Sequence, residues 1–229
     1  MNDSKIFDLP KLRNRVQVFR DRASAGKVLA RMLEAYRHSN ATVMGIPAGG
    51  IAVAVEIAKE LHLSLDVTVV SKITLPWNTE AGYGAIAFDG TVMLNEDLLT
   101  RLNLSKQEIQ SGIQKTEEKV FGRVRMFRGN QPLPDFEQPV ILVDDGLASG
   151  FTLRVGIKAM RKADAKNIIL AIPTGHLESV QRIAEEVEVI YCPNLREGMS
   201  FAVADAYELW SDLDERQVMN ILQEFRDLN

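Results

Sequence analysis

A single cysteine, Cys192, occurs in 229 residues, so no disulfide can form within the chain and no thiolate cluster can hold a metal. It is read as a structural thiol. The three histidines, His38, His62 and His176, lack metal-ligand spacing and are read as structural too. No apolar run approaches the roughly 20 residues of a membrane span, and the opening stretch, MNDSKIFDLPKLRNRV, has no continuous apolar segment of the signal-peptide kind. A cytoplasmic protein without a membrane partner is expected. Neither sign of charge dominates: 27 basic and 31 acidic residues leave a net charge of −4, without the broad positive footprint that nucleic acid requires. Any anionic ligand must be held by a local site. Also missing are the Gly-x-x-x-x-Gly-Lys phosphate loop, the GxGxxG dinucleotide fingerprint, internal repeats and low-complexity segments.

What is present is the ordinary material of a globular domain, 46% hydrophobic and 25% charged, with strand and helix patterns in alternation. Behind a candidate N-cap, Asp21, the residues Ala25, Val28, Leu29, Met32, Leu33 and Tyr36 recur at spacings of three and four, which predicts a helix over about 22–37 with one face on a sheet. Residues 42–46 read as a short strand, followed by PAGG and a helical pattern, IAVAVEIAKEL. Residues 66–71 (DVTVVS) read as a second strand with Lys72 at its end, and an irregular loop follows. Asp89-Gly90 between two short apolar runs predicts a hairpin with a type I′ turn. Asn95 caps a short helix through Leu102, and Ser105 with Glu108 forms a capping box for a longer one through about Gly122. RVRMFR (123–128) reads as a short strand or extended segment before a turn-rich linker. Strands at 139–143, 167–172 and 187–191 alternate with helices at 152–161 and 176–186, and a helix over 211–225 closes the chain. Such alternation predicts an α/β fold with a parallel sheet of about five strands flanked by helices. Ligands of such sheets sit outside the carboxyl ends of the strands. PAGG, Lys72 with its loop, the segment after residue 143 and Pro173-Thr174-Gly175 are therefore expected at one edge.

The densest of these segments is PVILVDDGLASGFT (139–152). An apolar strand delivers two adjacent carboxylates, Asp144 and Asp145, and then a loop of small residues whose N–H groups can converge on one anion at the start of a helix. An acid pair beside an anion cradle fits a phosphorylated sugar, the acids accepting from ribose hydroxyls and the loop holding the phosphate. A charge-assisted hydrogen bond contributes about 1.5–3 kcal/mol against about 0.3–2 for the helix dipole, so the loop's N–H groups should carry most of the phosphate affinity. The alternative for an isolated Asp-Asp-Gly is a strand-end turn in which one aspartate caps the helix.

VILVDDGLASGFT resembles the phosphoribosylpyrophosphate (PRPP) motif of the type I phosphoribosyltransferases. FRDRASAGKVLARML, GIPAGGIAVAVEIAKEL, DVTVVSKI, GAIAFDGTVMLN and MFRG, in that order, are similar to segments of a bacterial group of predicted phosphoribosyltransferases whose substrates are mostly unassigned. The resemblance implies a type I phosphoribosyltransferase fold in one domain over residues 1–229. It would comprise a core sheet, a flexible loop and hairpin at about 73–95, and a small hood built from about 1–20 and 192–210. By position it assigns the ribose hydroxyls to Asp144 and Asp145, and the 5′-phosphate to Gly146, Leu147, Ala148, Ser149, Gly150 and Thr152. Ala48, Gly49 and Gly50 would form the pyrophosphate loop. The group usually has arginine where this chain has Ala48, so one positive contact to pyrophosphate is absent.

Lys72 is the candidate for stabilising charge on the leaving group, or else a solvated strand-end lysine. The loop over 74–84 resembles the mobile loop that closes over such sites. Within it Trp77 and Tyr83 would cover the ligand or simply pack, and Glu80 would act on the incoming nucleophile or reach a metal through water. Arg123, Arg125 and Arg128 would attract polyphosphate, or form a solvated or dimer-facing strand. Pro173, Thr174 and Gly175 would line the base pocket. The expected partners are PRPP, an acceptor base or amine, and a second copy in a homodimer. Mg²⁺, bound mainly through PRPP, is the expected cofactor, because pyrophosphate leaves poorly until its charge is neutralised and this ion commonly binds through substrate phosphates. The expected reaction transfers the phosphoribosyl group to a nitrogen of the acceptor. A PRPP-sensing regulator without turnover and a phosphosugar hydrolase or phosphorylase remain as alternatives.

Overall fold

Unbroken runs of Val, Ile and Leu form the central strands, because a parallel sheet is covered on both faces and neither face needs polar residues. The computed structural model describes residues 5–198 and 200–228, apart from the side chains of Thr79 and Glu80. The chain starts with a two-residue strand, β1 (Ile6–Phe7), and a helix, α1 (Arg22–Met32), then β2 (Thr42–Gly45), α2 (Gly49–Leu61) and β3 (Ser64–Val67). β4 (Val70–Leu75), β5 (Asn78–Ala87) and β6 (Val92–Leu94) precede α3 (Glu96–Leu102) and α4 (Lys106–Arg128). The second half runs β7 (Val140–Val143), α5 (Phe151–Lys162), β8 (Ile168–Ala171), β9 (Thr174–His176), α6 (Leu177–Ile183), β10 (Val189–Tyr191), β11 (Asn194–Arg196) and α7 (Glu215–Asp227).

Six strands lie parallel in the order β1-β10-β8-β7-β2-β3. The expected parallel sheet is there with one strand more than the sequence pattern suggested, because a two-residue edge strand such as β1 is too short to show a period. Alternate residues of each strand enter opposite cores. Met44, Leu142 and Leu170 pack with Leu153 and Ile157 of α5 on one face. Val43, Ile141 and Ile169 pack with Ile57 and Ala58 of α2 on the other. The connections leaving β2 and β7, which are neighbours, thus depart to opposite faces and open a crevice between their carboxyl ends. That crevice is the topological switch point at which ligands of open α/β sheets bind.

α1 lies mainly across α2 rather than directly on the sheet, although its Leu29 joins the same core as Val43 and Ile57. Gly26 permits the close crossing, since a Cβ there would sit 2.7 Å from the Val53 carbonyl oxygen. The expected strand over 66–71 is two strands in different sheets. β3 stays in the parallel sheet, while β4 pairs antiparallel with β5, and β5 with β6, as a separate three-stranded flap. Lys72 therefore lies inside β4 rather than at a strand end, and the stretch read as an irregular loop is mostly paired strand, with register shifts at Ile73/Thr74 and Thr74/Leu75. The hairpin between β5 and β6 is present, but its turn is not type I′, which needs two positive φ angles. Gly90 alone has one, at 81°, and Ala87 both accepts from Gly90 N and donates to Thr91 O, the pattern of a type I turn closed by a glycine bulge.

The capping box of Ser105 and Glu108 starts α4 as expected, yet the helix runs through Gly122 to Arg128 and replaces the predicted strand at 123–128. The apolar period continues from Thr116 and Val120 to Phe127, and that burial outweighs one helical glycine. Arg123 reaches Glu215 of α7 at 2.7 Å, and the buried Arg128 reaches Asp66 of β3 at 2.9 Å, so these two cations bind elements of the fold together. A Cβ at Gly122 would meet nothing within 4 Å. Gly122→Ala is therefore expected to stabilise the protein by about 0.8–1 kcal/mol and to raise its unfolding temperature by about 2–4 °C in a thermal melt. A lower melting temperature would show that this helix face is packed.

No helix among the described residues is long and apolar enough to cross a membrane.

Candidate functional site

The two loops at the switch point are built for close approach. After β2 the chain turns through Pro47 and Ala48, joined by a cis peptide bond, into α2. After β7 it runs through Asp144 and Asp145 to Gly150, whose φ of 75° sets the entry into α5. The loops touch: a Cβ at Gly49 would lie 1.7 Å from Oδ2 of Asp145, and one at Gly50 would lie 2.7 Å from the Val143 carbonyl oxygen.

Among α3 and the helices of more than seven residues, the side-chain caps single out two starts, while the seven-residue α6 also begins uncapped at His176. α1, α3, α4 and α7 each begin with a side chain, from Asp21, Asn95, Ser105 and Asp214 respectively, that accepts from a backbone N–H of the first turn. α2 and α5, which start in the crevice, begin at Ala48 and Gly150 with no side-chain cap. Their first-turn N–H groups form two positive ends, which suits anionic groups of a ligand.

A cavity of about 200 Å³ is lined by Lys72, Asp144, Asp145, the whole loop from Gly146 to Leu153, and Val203. The structure thus brings Lys72 of the flap to the acid pair and the small-residue loop. Gly49 and Gly50, which follow Ala48, border the same acids from the β2 side. Within the loop, Leu147 differs from its expected role. Its side chain is buried, its N–H donates to the Thr174 carbonyl and its own carbonyl accepts from His176 N. Leu147 therefore anchors the loop to β9, and its N–H is committed within the protein. The side chain of Glu80 lies outside the described residues.

Asp144 and Asp145 have different surroundings. The Asp145 N–H donates to Oδ1 of Asp144 at 2.9 Å. Arg22 Nε donates to Oδ2 of Asp145 at 2.8 Å, and Tyr207 Oη donates to the Asp145 carbonyl at 2.6 Å. Burial, then the neighbouring Asp145 charge, holds the Asp144 carboxyl well above the ordinary carboxylate range. Burial raises Asp145 as well, but the Arg22 guanidinium opposes that rise. Burial also pushes the Tyr207 hydroxyl up, keeping it a neutral donor.

Arg22, Tyr207 and Val203 were not singled out from the sequence. Arg22 carried a faint signal: it lies three residues before Ala25 and seven before Leu29, on the apolar face of its own helix. The 192–210 segment meets the N-terminal arm through the Phe19–Tyr207 bridge, and Val203 covers Gly146, where a Cβ would lie 2.4 Å from Val203 Cγ1. Pro173, Thr174 and Gly175 follow β8 at the same edge of the sheet. All three are buried, and Thr174 Oγ1 donates to Oδ1 of Asn194, itself fully buried, at 2.6 Å. Tyr83 is packed between flap and α4, its hydroxyl against Gly112, while Trp77 is 63% exposed at the turn of the β4–β5 hairpin. Cys192 is buried with its thiol pushed up by burial, and His38 stacks on His62 at 4.6 Å. No group of three metal-ligating side chains occurs among the described residues.

A parallel sheet with an acid pair, a cationic flap and two uncapped helix starts at its switch point is an arrangement suited to a phosphorylated ligand. The Phosphoribosyl transferase domain family matches residues 89–206, and the chain belongs to that family. It is 31% identical over 208 residues to the Mycobacterium tuberculosis protein named "Putative phosphoribosyl transferase Rv0571c", covering 90% of this chain and 47% of the other. The chain thus spans about half the length of that curated relative. It also matches the crystal structure of TT1426 from Thermus thermophilus, with 27% identity, a TM-score of 0.68, and coverage of 90% of this chain and 98% of that one.

Proposed function

We propose that this chain binds PRPP and transfers its 5-phosphoribosyl group to a nitrogenous acceptor, a nucleobase or related amine, releasing pyrophosphate. The observation that carries the reading is the meeting of two uncapped helix starts, α2 and α5, with the Asp144–Asp145 pair between them. PRPP presents this pattern in one molecule: a monophosphate, a diol and a pyrophosphate. In the proposed complex the N–H groups of Ala148, Ser149, Gly150 and Thr152 hold the 5′-phosphate, while the Phe151 N–H donates to the Ser149 hydroxyl, and the turn at Ala48, Gly49 and Gly50 faces the pyrophosphate. Asp145 Oδ2 is occupied by Arg22 and Asp144 Oδ1 by a backbone N–H, so the other oxygen of each carboxyl is the natural acceptor for a ribose hydroxyl.

The site suits Mg²⁺ carried by the substrate rather than caged by the protein, given Asp144 and Asp145 beside the cavity and no three-ligand cluster among the described residues. When bound, the ion neutralises charge on the departing pyrophosphate. Lys72 adds a fixed cation on the flap side, which favours the leaving group more as its charge grows. The remaining contribution of the chain is positioning: the loops hold the sugar so that C1 faces the acceptor and water is excluded.

A second reading, a PRPP-binding regulator without turnover, draws on Ala48, which brings no side-chain charge to the pyrophosphate turn. A pyrophosphate-release assay with PRPP, Mg²⁺ and a panel of purines, pyrimidines and related amines separates the two. Transfer predicts release that depends on one acceptor, with the matching nucleotide formed in equal amount. Tight PRPP binding without release on any acceptor would select the regulator. Release without an acceptor would select a hydrolase, and no PRPP binding would overturn both readings.

A further inference from the structure

Arg22 is a charged residue held almost fully out of solvent at the start of α1. Its side chain is 9% exposed, its Nε lies 2.8 Å from Oδ2 of Asp145, and its Nη1 donates to the Ser211 carbonyl at 2.8 Å. The guanidinium stacks over the Trp210 ring at 3.9 Å from the centroid. It also borders the β2–α2 turn, since a Cβ at Gly49 would lie 2.9 Å from its Nε. Tyr207, three residues before Trp210, holds the Asp145 backbone through its hydroxyl. Asp145 is thus gripped at side chain and main chain by the start of α1 and by residues 207–211, whereas Asp144 receives neither contact.

We infer that Arg22 is a positioning residue that fixes the negative charge of the acid pair on Asp145 and couples that carboxylate to the 207–211 segment. The inference rests on the PRPP reading of the site. Two carboxylates on adjacent residues in a poorly solvated crevice resist ionising together. The groups facing Asp145 are Arg22 from α1, Lys72 from the flap, Asp144 beside it and the neutral Tyr207 hydroxyl; Arg22 is the cation in direct contact. With the guanidinium in place Asp145 is ionised and turned toward the sugar, and Asp144 is the member that holds a proton longest. Binding of a diol to the pair then draws that last proton off, so PRPP uptake releases a proton in the pH range where Asp144 titrates.

The test has one part that needs no ligand. Carbon-13 NMR of the aspartate carboxyls in the unliganded protein, assigned through Asp144→Asn, should show Asp145 ionising first as the pH rises and Asp144 last. Asp145 as the later-ionising member would overturn the inference. In the second part, PRPP affinity is followed against pH for the unchanged protein, Arg22→Met and Arg22→Lys. Arg22→Met should weaken binding at neutral pH about tenfold or more and move the acid limb of the profile up by about one pH unit, with Arg22→Lys restoring the limb. An equal loss at every pH in both variants would mark a purely structural residue and overturn the inference. If Arg22→Met does not fold, the carboxyl titration of the unchanged protein decides. Failure of the unchanged protein to bind PRPP would overturn the substrate reading instead, a result separate from the order in which the two acids ionise.

Discussion

Asparagine at Asp145 is expected to abolish measurable PRPP binding and to lower the unfolding temperature by about 6–12 °C, while asparagine at the adjacent Asp144 should raise that temperature at neutral pH. Removing Asp145 leaves the guanidinium of Arg22 buried without its counter-charge. Breaking such a pair costs about 3–5 kcal/mol, and the lower end applies because the Asp145 side chain keeps 17% exposure. For a chain of this size each kcal/mol moves the melting temperature by about 2–4 °C. Replacing Asp144 strands no guanidinium, because Arg22 pairs with Asp145. The native Asp144 carboxyl titrates well above the ordinary range, so between the unfolded and native values the folded chain binds more protons than the unfolded one. Stability therefore falls as pH rises through that window and is lowest above it. Asparagine, which never ionises, removes this loss and keeps an oxygen for the Asp145 N–H. Melting curves of both variants near pH 7 and about two units lower decide the matter: the gain at Asp144 should shrink as the pH falls. A matching loss in both variants would show that the two acids share one environment.

What the sequence discloses of this molecule follows the range of each signal. The sheet is legible because every strand of the six-stranded sheet except β1 and β3 is a short apolar run next to a helix with a clear period. The acid pair and the small-residue loop are legible for a related reason: Asp144, Asp145 and Gly150 are neighbours in sequence, and the chemistry that joins them is local. The flap is less so. Thr68 ends β3 by donating to the Gly45 carbonyl, and only this contact between separate strands tells that Val70 starts a different sheet. The strand expected at 123–128 fails because six residues fit alternation as well as a helical turn, and the contact of Arg128 with Asp66, 62 residues away, arbitrates. Arg22 and Tyr207 lie 123 and 62 residues from Asp145, so no spacing rule could have joined them to it. Pro173, Thr174 and Gly175 show the converse. Their place at a strand end put them at the right edge, but β9 and β11 pair there and bury them.

The largest effect on the site from the smallest change is expected at Gly49. An alanine Cβ would lie 1.7 Å from Asp145 Oδ2 and 2.4 Å from its Cγ, far inside any tolerated contact. Something must move, and the obstacle is the end of a side chain rather than backbone. The Asp145 carboxyl can swing away and leave Arg22, so Gly49→Ala should fold, with a stability loss of about 1–3 kcal/mol, while PRPP affinity falls about 100-fold or more. Gly50 faces a different obstacle. Its added Cβ would meet the Val143 carbonyl oxygen at 2.7 Å and the Asp144 Cα at 2.9 Å, both part of the backbone where β7 ends. Backbone there cannot yield without disturbing the centre of the sheet, so Gly50→Ala should lose more stability than Gly49→Ala. Calorimetry with PRPP and thermal melts on the two variants separate these effects. Unchanged PRPP affinity in Gly49→Ala would mean that the ligand does not depend on where Asp145 points. The acid pair would then lose its place as the sugar-binding wall of the crevice.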